Sequence, residues 1–228
     1  LQAVAGPIES LRGADTAYEL ATQIGQRSPV ATSSTPEEIA QIGNKTASAL
    51  ATYYQALVRN NAYTPEAGGR IANRLAPSVV ARVPYSMYDL ASIPTDQDTS
   101  VAAVVRYRTA MQASLAPLQK NAAYELDLYN GYVQTRDADY LSQMKTAAEN
   151  YRTAATQTAR VVVPADAAAY HVGVLNAMQE FGATLDLMAD NADDPITSLA
   201  LLQAYNKAEN NMLNSFGALS AYYTRKRS

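Results

Sequence analysis

His171 is the only histidine in this 228-residue chain, and there is no cysteine. A site built on two histidines, a thiolate zinc centre and a cysteine nucleophile are therefore excluded within one chain. To act as a general acid or base His171 would need a partner. Asp166 stands five residues before it and Glu180 nine after it, and neither is placed to serve. Packing on a helix seam accounts for the residue instead. No Glu-x-x-His pair occurs, which removes the inward-facing carboxylate and imidazole set of di-iron bundles.

The carboxylates offer little more. Asp96-Gln97-Asp98 lacks the glycine and distal glutamate of an EF-hand loop and reads as a helix cap. Asp190, Asp193 and Asp194 share one loop and form a weak calcium candidate, but Asp194 before Pro195 is also a natural N-cap, and capping is preferred. Asp137 and Asp139 open a helix, where negative charge is favoured. Gly68-Gly69-Arg70 is not a phosphate loop, because the Lys-Ser/Thr pair is absent and no strand precedes it. Asn44-Lys45-Thr46 matches the N-glycosylation triplet and is read as a chance occurrence on a helix. No catalytic residue, cofactor or transition metal is expected, and the chain reads as a non-enzyme.

The sequence holds sixteen tyrosines, two phenylalanines and no tryptophan. Tyr53, Tyr151 and Tyr205 sit at helical spacing and belong to a core edge. The doublets Tyr53-Tyr54 and Tyr222-Tyr223 must each turn one ring outward, and outward tyrosines suit binding. Tyr85, Met87, Tyr88 and Leu90 fall in an irregular segment, where tucking under the bundle is preferred over forming a contact surface. Tyr54, Tyr85, Tyr88 and Tyr222 are accordingly the interaction candidates. On the last helix Asn206, Asn210, Asn211 and Asn214 read as solvent-facing.

These residues need elements to hold them, and the punctuation of the chain predicts helices. Pro7 to Ile24 is weakly amphipathic, and Arg27 to Thr35 is a Ser/Thr/Pro-rich linker. Thr35-Pro36-Glu37-Glu38 combines an N-cap, a first-turn proline and a capping-box glutamate, opening a helix to about Asn60. Ile39, Ile42, Thr46, Ala49, Tyr53 and Ala56 form its seam. Residues 61–98 carry four prolines and leave room for short helices around Glu66 to Leu75 and Tyr85 to Ala91. Asp98 then caps a long helix from Thr99 to about Val133, with Val101, Val104, Met111, Leu115 and Leu118 inward and a kink before Pro117. The next helix carries Leu141, Met144, Ala148, Tyr151, Ala155, Thr158 and Val162. A short polar turn over Gly131 to Arg136 folds it back on its predecessor.

Pro164 and Pro195 each mark a further helix start. The first of these helices presents His171, Val174, Leu175, Met178, Gly182 and Leu185. Leu199, Leu202, Tyr205, Met212, Phe216, Leu219 and Tyr223 line the second. No strand is expected. The fold class is therefore all-α, an elongated antiparallel helical bundle with an irregular Pro/Gly-rich insertion around 61–98. Residues 1–34 form an N-terminal helix and linker, and residues 35–228 the bundle domain.

Charge and composition narrow the function classes. A net charge of −3 spread along the chain is not the footprint of a nucleic-acid binder, and Arg225-Lys226-Arg227 is too short to make one. No apolar run is long enough to span a membrane, so membrane attachment would require an anchor outside this chain. The chain opens on Leu1 rather than Met, which fits a removed leader. Freedom from cysteine permits an oxidising compartment. Abundant Ala, Thr, Gln, Asn and Tyr with few Lys suits an exported bacterial protein.

The segments V-V-V-P-A-D-A-A-A-Y-H-V-G-V-L-N-A-M (Val161 to Met178) and D-D-P-I-T-S-L-A-L-L-Q-A-Y (Asp193 to Tyr205), with the capped helix at Thr35, carry a likeness. Over Thr35 to Tyr223 the chain resembles a group of uncharacterised, exported helical proteins from genomes of ultrasmall candidate-phyla bacteria. The resemblance implies a secreted or anchored helical protein, suspected in that group of belonging with secretion or pilus machinery. It supplies no catalytic residues. The expectation is an extracytoplasmic, non-enzymatic interaction protein, an accessory subunit of an envelope, pilus or secretion assembly. The alternative is a small-ligand-binding bundle with a pocket lined by Tyr85, Tyr88 and a bundle tyrosine.

Overall fold

The computed structural model describes residues 35–76 and 79–227. The helix expected over Pro7 to Ile24 and the linker preceding Thr35 lie outside them, as does the boundary near residue 34. Contacts divide the described chain into one unit of residues 35–76, 79–82 and 194–200, and another of residues 83–193 and 201–227.

The first unit begins with the capping box at Thr35. Its hydroxyl accepts from the Glu38 N–H and the Glu38 carboxylate accepts from the Thr35 N–H, both at 3.1 Å, so two unpaired donors are satisfied reciprocally. The helix it opens is not continuous. Helix α1 covers Pro36–Ala40 and helix α2 Ile42–Arg59, with a turn at Gln41 between them. The Gly43 N–H, which an unbroken helix would direct at Ile39, donates instead to the Thr197 hydroxyl at 3.1 Å. Helix α3, Pro65–Leu75, is capped by Thr64. Leu57, Ala62, Ala67 and Ile71 form a small core with Leu50, Tyr53 and Leu75.

Helix α8 runs Pro195–Arg227, residues 195–200 in this unit and the remainder in the other. Asp194 caps it as expected, Oδ1 accepting from the N–H groups of Ile196 and Thr197 at 3.0 and 3.1 Å. Gly43 is required opposite, because a Cβ there would run into the Asp194 carboxylate. Leu199, expected inward, is exposed.

The second unit opens on extended chain. Tyr85 to Ala91 is not helical, and Leu90–Ser92 makes only a 3₁₀ turn capped by Asp89. The Asn176 side-chain amide explains this, since it accepts from the Tyr88 N–H at 2.7 Å and donates to the Tyr88 carbonyl at 3.1 Å. That pairing replaces the local bonds a helix would need. A second departure follows. Strand β1, Thr95–Asp96, pairs parallel with strand β2, Val163–Pro164, although no strand was expected. Pro164 thus ends a strand, and a 3₁₀ turn at Ala165–Ala167 precedes helix α7, Ala168–Asp190.

Helix α4 spans Val101–Ser114, and its N-cap is Ser100 rather than Asp98, accepting from the Ala103 N–H at 3.2 Å. Val101 is exposed rather than inward, as is Val162, which falls beyond its expected helix. The long helix to Val133 does not form. Pro117 interrupts it instead of kinking it, leaving a 3₁₀ segment at Ala116–Lys120 and a fresh helix α5, Glu125–Thr135. The missing Pro117 N–H ends the α-helical ladder. The Ser114 hydroxyl secures that end, donating to the Met111 carbonyl and meeting the Thr158 hydroxyl, each at 2.8 Å.

Left-handed Arg136 and the cap Asp137 turn the chain into helix α6, Ala138–Thr158. From there the helices alternate in direction. Tyr151 meets Phe181 while Lys145 pairs with Asp190, so α6 and α7 run antiparallel. Phe181 meets Tyr205 while Tyr170 meets Tyr222, so α7 and the second-unit part of α8 do the same. Their core joins Val104, Met111, Ala155, Val174, Leu175, Met178 and Leu219. The fold class is all-α.

Candidate functional site

The one histidine lies in this core. His171 is fully buried, on the seam with Val174, Leu175 and Met178, and its Nδ1 lies 2.9 Å from the Tyr107 hydroxyl. Burial pushes the imidazole pKa down to about 4, although the Thr158 backbone favours the charged ring. Burial raises the Tyr107 phenol as well, so both partners are neutral near pH 7. Tyr107 then donates and Nδ1 accepts, which places the ring proton on Nε2. Among the described residues, Nε2 and the nearby Tyr223 hydroxyl have no partner in hydrogen-bond geometry. Tyr107 packs on both rings, with centroids 5.7 Å from His171 and 5.8 Å from Tyr223. The pair orients a neutral imidazole inside the bundle. Sequence spacing could not have found Tyr107, which sits 64 positions away on another helix.

A second polar network joins α5, α6 and α8. Glu125 is buried and accepts from the Tyr151 hydroxyl at 3.0 Å. Tyr124 donates to Glu209 at 2.7 Å, and Tyr205 reaches the same oxygen at 3.4 Å. Burial, then the Glu125 charge, raises the Tyr151 phenol, and burial does so foremost for Tyr205. These hydroxyls keep their protons and satisfy the Glu125 and Glu209 carboxylates. Glu180, also buried, accepts from Asn211 at 2.7 Å. Of the four asparagines on the last helix, Asn211 is therefore engaged across a helix pair, while Asn206, Asn210 and Asn214 are exposed.

Among the described residues of the second unit, two of the cavities bring charged side chains together. One, about 460 Å³, lies between the strand pair, α4 and the turn after α6, with Asp96, Asp98, Arg106, Tyr107, Gln157 and Arg160 in its lining. The other, about 530 Å³, shares Gln157 and Arg160 and adds Glu149, Arg152 and Gln179. Asp98 holds Arg106 at 3.2 Å and accepts from the Ser100 N–H at 2.9 Å. Those Ser100 contacts, with Arg106 behind them, keep its carboxyl below the usual range. Neither Tyr85 nor Tyr88 lines either cavity.

The expected interaction residues separate. Tyr54 is 52% exposed and stacks edge-on against Tyr63 at 5.0 Å. Tyr63 is 49% exposed and Val58, one helical turn from Tyr54, 46%. Tyr85 is half-buried and Tyr88 packs against the core. Tyr222 corrects the expectation of an outward ring: it is buried, and its hydroxyl donates to Asp166 at 2.8 Å. Its doublet partner Tyr223 is also partly buried. The two rings turn to different neighbours, Tyr222 to Tyr170 and Tyr223 to Tyr107.

Each carboxylate of the calcium candidate has another task. Asp190 pairs with Lys145 at 2.6 Å, Asp193 accepts from Tyr132 at 2.6 Å and from Arg136 at 3.2 Å, and Asp194 is the helix cap. Among the described residues no group of three side chains is arranged to hold a metal ion, and no helix is long and apolar enough to cross a membrane. No protein-family model, curated protein or solved structure matches the chain.

Proposed function

We propose that this chain is a non-enzymatic, extracytoplasmic helical interaction protein that acts through its surface, as an accessory subunit of an envelope, pilus or secretion assembly. The observation that carries the reading is the exposed group of Tyr54, Val58 and Tyr63. Tyr54 and Tyr63 already pack edge to face, which presents a rigid aromatic surface at little further entropic cost. Aromatic anchors of this kind dominate binding energy at protein interfaces. The internal chemistry supports the same reading, since the histidine and the buried glutamates are held by tyrosine and asparagine side chains.

The test is photocrosslinking from position 54 in cells that express the chain at native level. The expected result is a discrete adduct with an envelope protein, lost when Val58→Asp and Tyr63→Asp are added. Survival of that adduct in the folded double variant would place the contact elsewhere, and absence of any adduct would refute the interaction reading.

A further inference from the structure

We propose that the cavity beside the β1–β2 strand pair binds a small zwitterion of amino-acid type with an apolar side chain, its carboxylate on Arg160 and its ammonium group on Asp96. Four charged side chains line this cavity. Two satisfy one another, Asp98 accepting from Arg106 at 3.2 Å. Asp96 and Arg160 remain, opposite in sign, and among the described residues neither makes an ion pair with the other or with any other group. Two such charges sharing a concavity without meeting are complementary to a ligand that carries both charges itself.

The chemistry of each end follows. Arg160 offers a planar fork of donors matched to a carboxylate, and such charge-assisted pairs are the strong ones. It stands just past the C-terminal end of α6, where the helix dipole favours a cation. Asp96 accepts from the Asp98 N–H at 3.0 Å, which fixes the carboxylate while leaving acceptor capacity for an ammonium group. Beside Tyr107 and Gln157, the remaining wall is apolar, with Val161, Val162 and Pro164. A volume of about 460 Å³ lies within the range of small-molecule sites and leaves room for an aliphatic side chain. A ligand with only one charge would leave one of these two side chains unanswered.

None of these residues belongs to the Tyr54 surface, so this proposal and the interaction reading can fail separately. The test is calorimetric titration of the full chain with L-leucine, N-acetyl-L-leucine and L-leucinamide. Leucine should bind saturably in the millimolar range or tighter, and each analogue, lacking one charge, should bind about tenfold or more weakly. Arg160→Gln should weaken leucine similarly while leaving leucinamide unchanged. Asp96→Asn should weaken leucine while leaving N-acetyl-leucine unchanged. Arg160 is exposed, so its variant tests the carboxylate arm even if the strand-pair variant were to misfold. Absence of saturable leucine binding, N-acetyl-leucine binding as tightly as leucine, or indifference of leucine to Arg160→Gln would each overturn the proposal.

Discussion

Acid should destabilise this fold through His171, and the size of the effect follows from its surroundings. The imidazole is fully buried, its Nδ1 faces a phenol, and burial brings its pKa from 6.5 to about 4. The neutral ring is the form the fold accepts. Because the folded pKa lies below the unfolded one, the stability is complete above about pH 6.5 and is lost as pH falls toward 4. At about 1.4 kcal/mol per pH unit of displacement, the loss between about pH 7.5 and pH 4.5 is about 2.5 kcal/mol. That is a sizeable fraction of a domain stability of about 5–15 kcal/mol. His171→Gln keeps a polar side chain facing Tyr107 and removes the titration. Urea melts at both pH values, followed by far-ultraviolet circular dichroism, should show the native sequence losing about 2.5 kcal/mol more than the variant. The carboxylates titrate in both proteins, so the difference isolates the histidine. Parallel pH dependences, within about 0.5 kcal/mol, would mean that the ring is charged or solvated in the folded state.

Three further substitutions probe the packing. Gly182→Val should cost about 1–3 kcal/mol or more in urea melts, because a Cβ at Gly182 would stand 3.0 Å from the Ala148 carbonyl oxygen, a backbone atom with little freedom to retreat. Met178→Asp places a carboxylate at a fully buried position and should cost several kcal/mol, about the stability of a domain; a circular dichroism melt close to that of the native sequence would show that the face is misassigned. Asp194→Ala removes both backbone bonds at the start of α8 and should cost about 1–2 kcal/mol, with Asp194→Asn recovering most of the loss in the same chemical melts.

What the sequence discloses about this fold depends on how local the cause is. The Thr35 capping box and the Asp194 cap are each settled within four residues, and both were readable; the turn expected over 131–136 shrinks to Arg136 and Asp137, because α5 continues to Thr135. So was the seam of His171, Val174, Leu175 and Met178, since helical spacing alone puts those side chains on one face. The misreadings arise where a distant group decides. Tyr85 to Ala91 has helix-compatible residues, but the Asn176 amide pairs with the Tyr88 backbone and holds the segment extended. Val163 and Pro164 are too few to declare a strand, and only Thr95 and Asp96 beside them make one. At Pro117 the spacing of apolar residues persisted on both sides, and it took the Ser114 bonds and the following extended Asn121 to show that the helix ends there. The cavity was illegible for the same reason, its charged residues coming from three separate stretches of chain.

The sixteen tyrosines connect these observations. A core that lacks tryptophan and has two phenylalanines must take its aromatic volume from tyrosine, and each buried phenol then needs a polar partner. The partners are the residues that attract notice as candidate chemistry: Tyr107 faces His171, Tyr151 donates to Glu125, Tyr205 to Glu209, Tyr132 to Asp193, and Tyr222 to Asp166. Asp166 shows how such a contact changes a charge's behaviour. Burial alone would raise its pKa, but the Lys226 ammonium group and the Tyr222 hydroxyl overcome that and lower it, so the carboxylate stays ionised as a fixed point between α8 and the turn before α7. In a tyrosine-built core, acidic side chains at helix ends and seams are where phenol groups anchor. Asp96 and Arg160 are placed differently, in the lining of a cavity rather than at a phenol anchor.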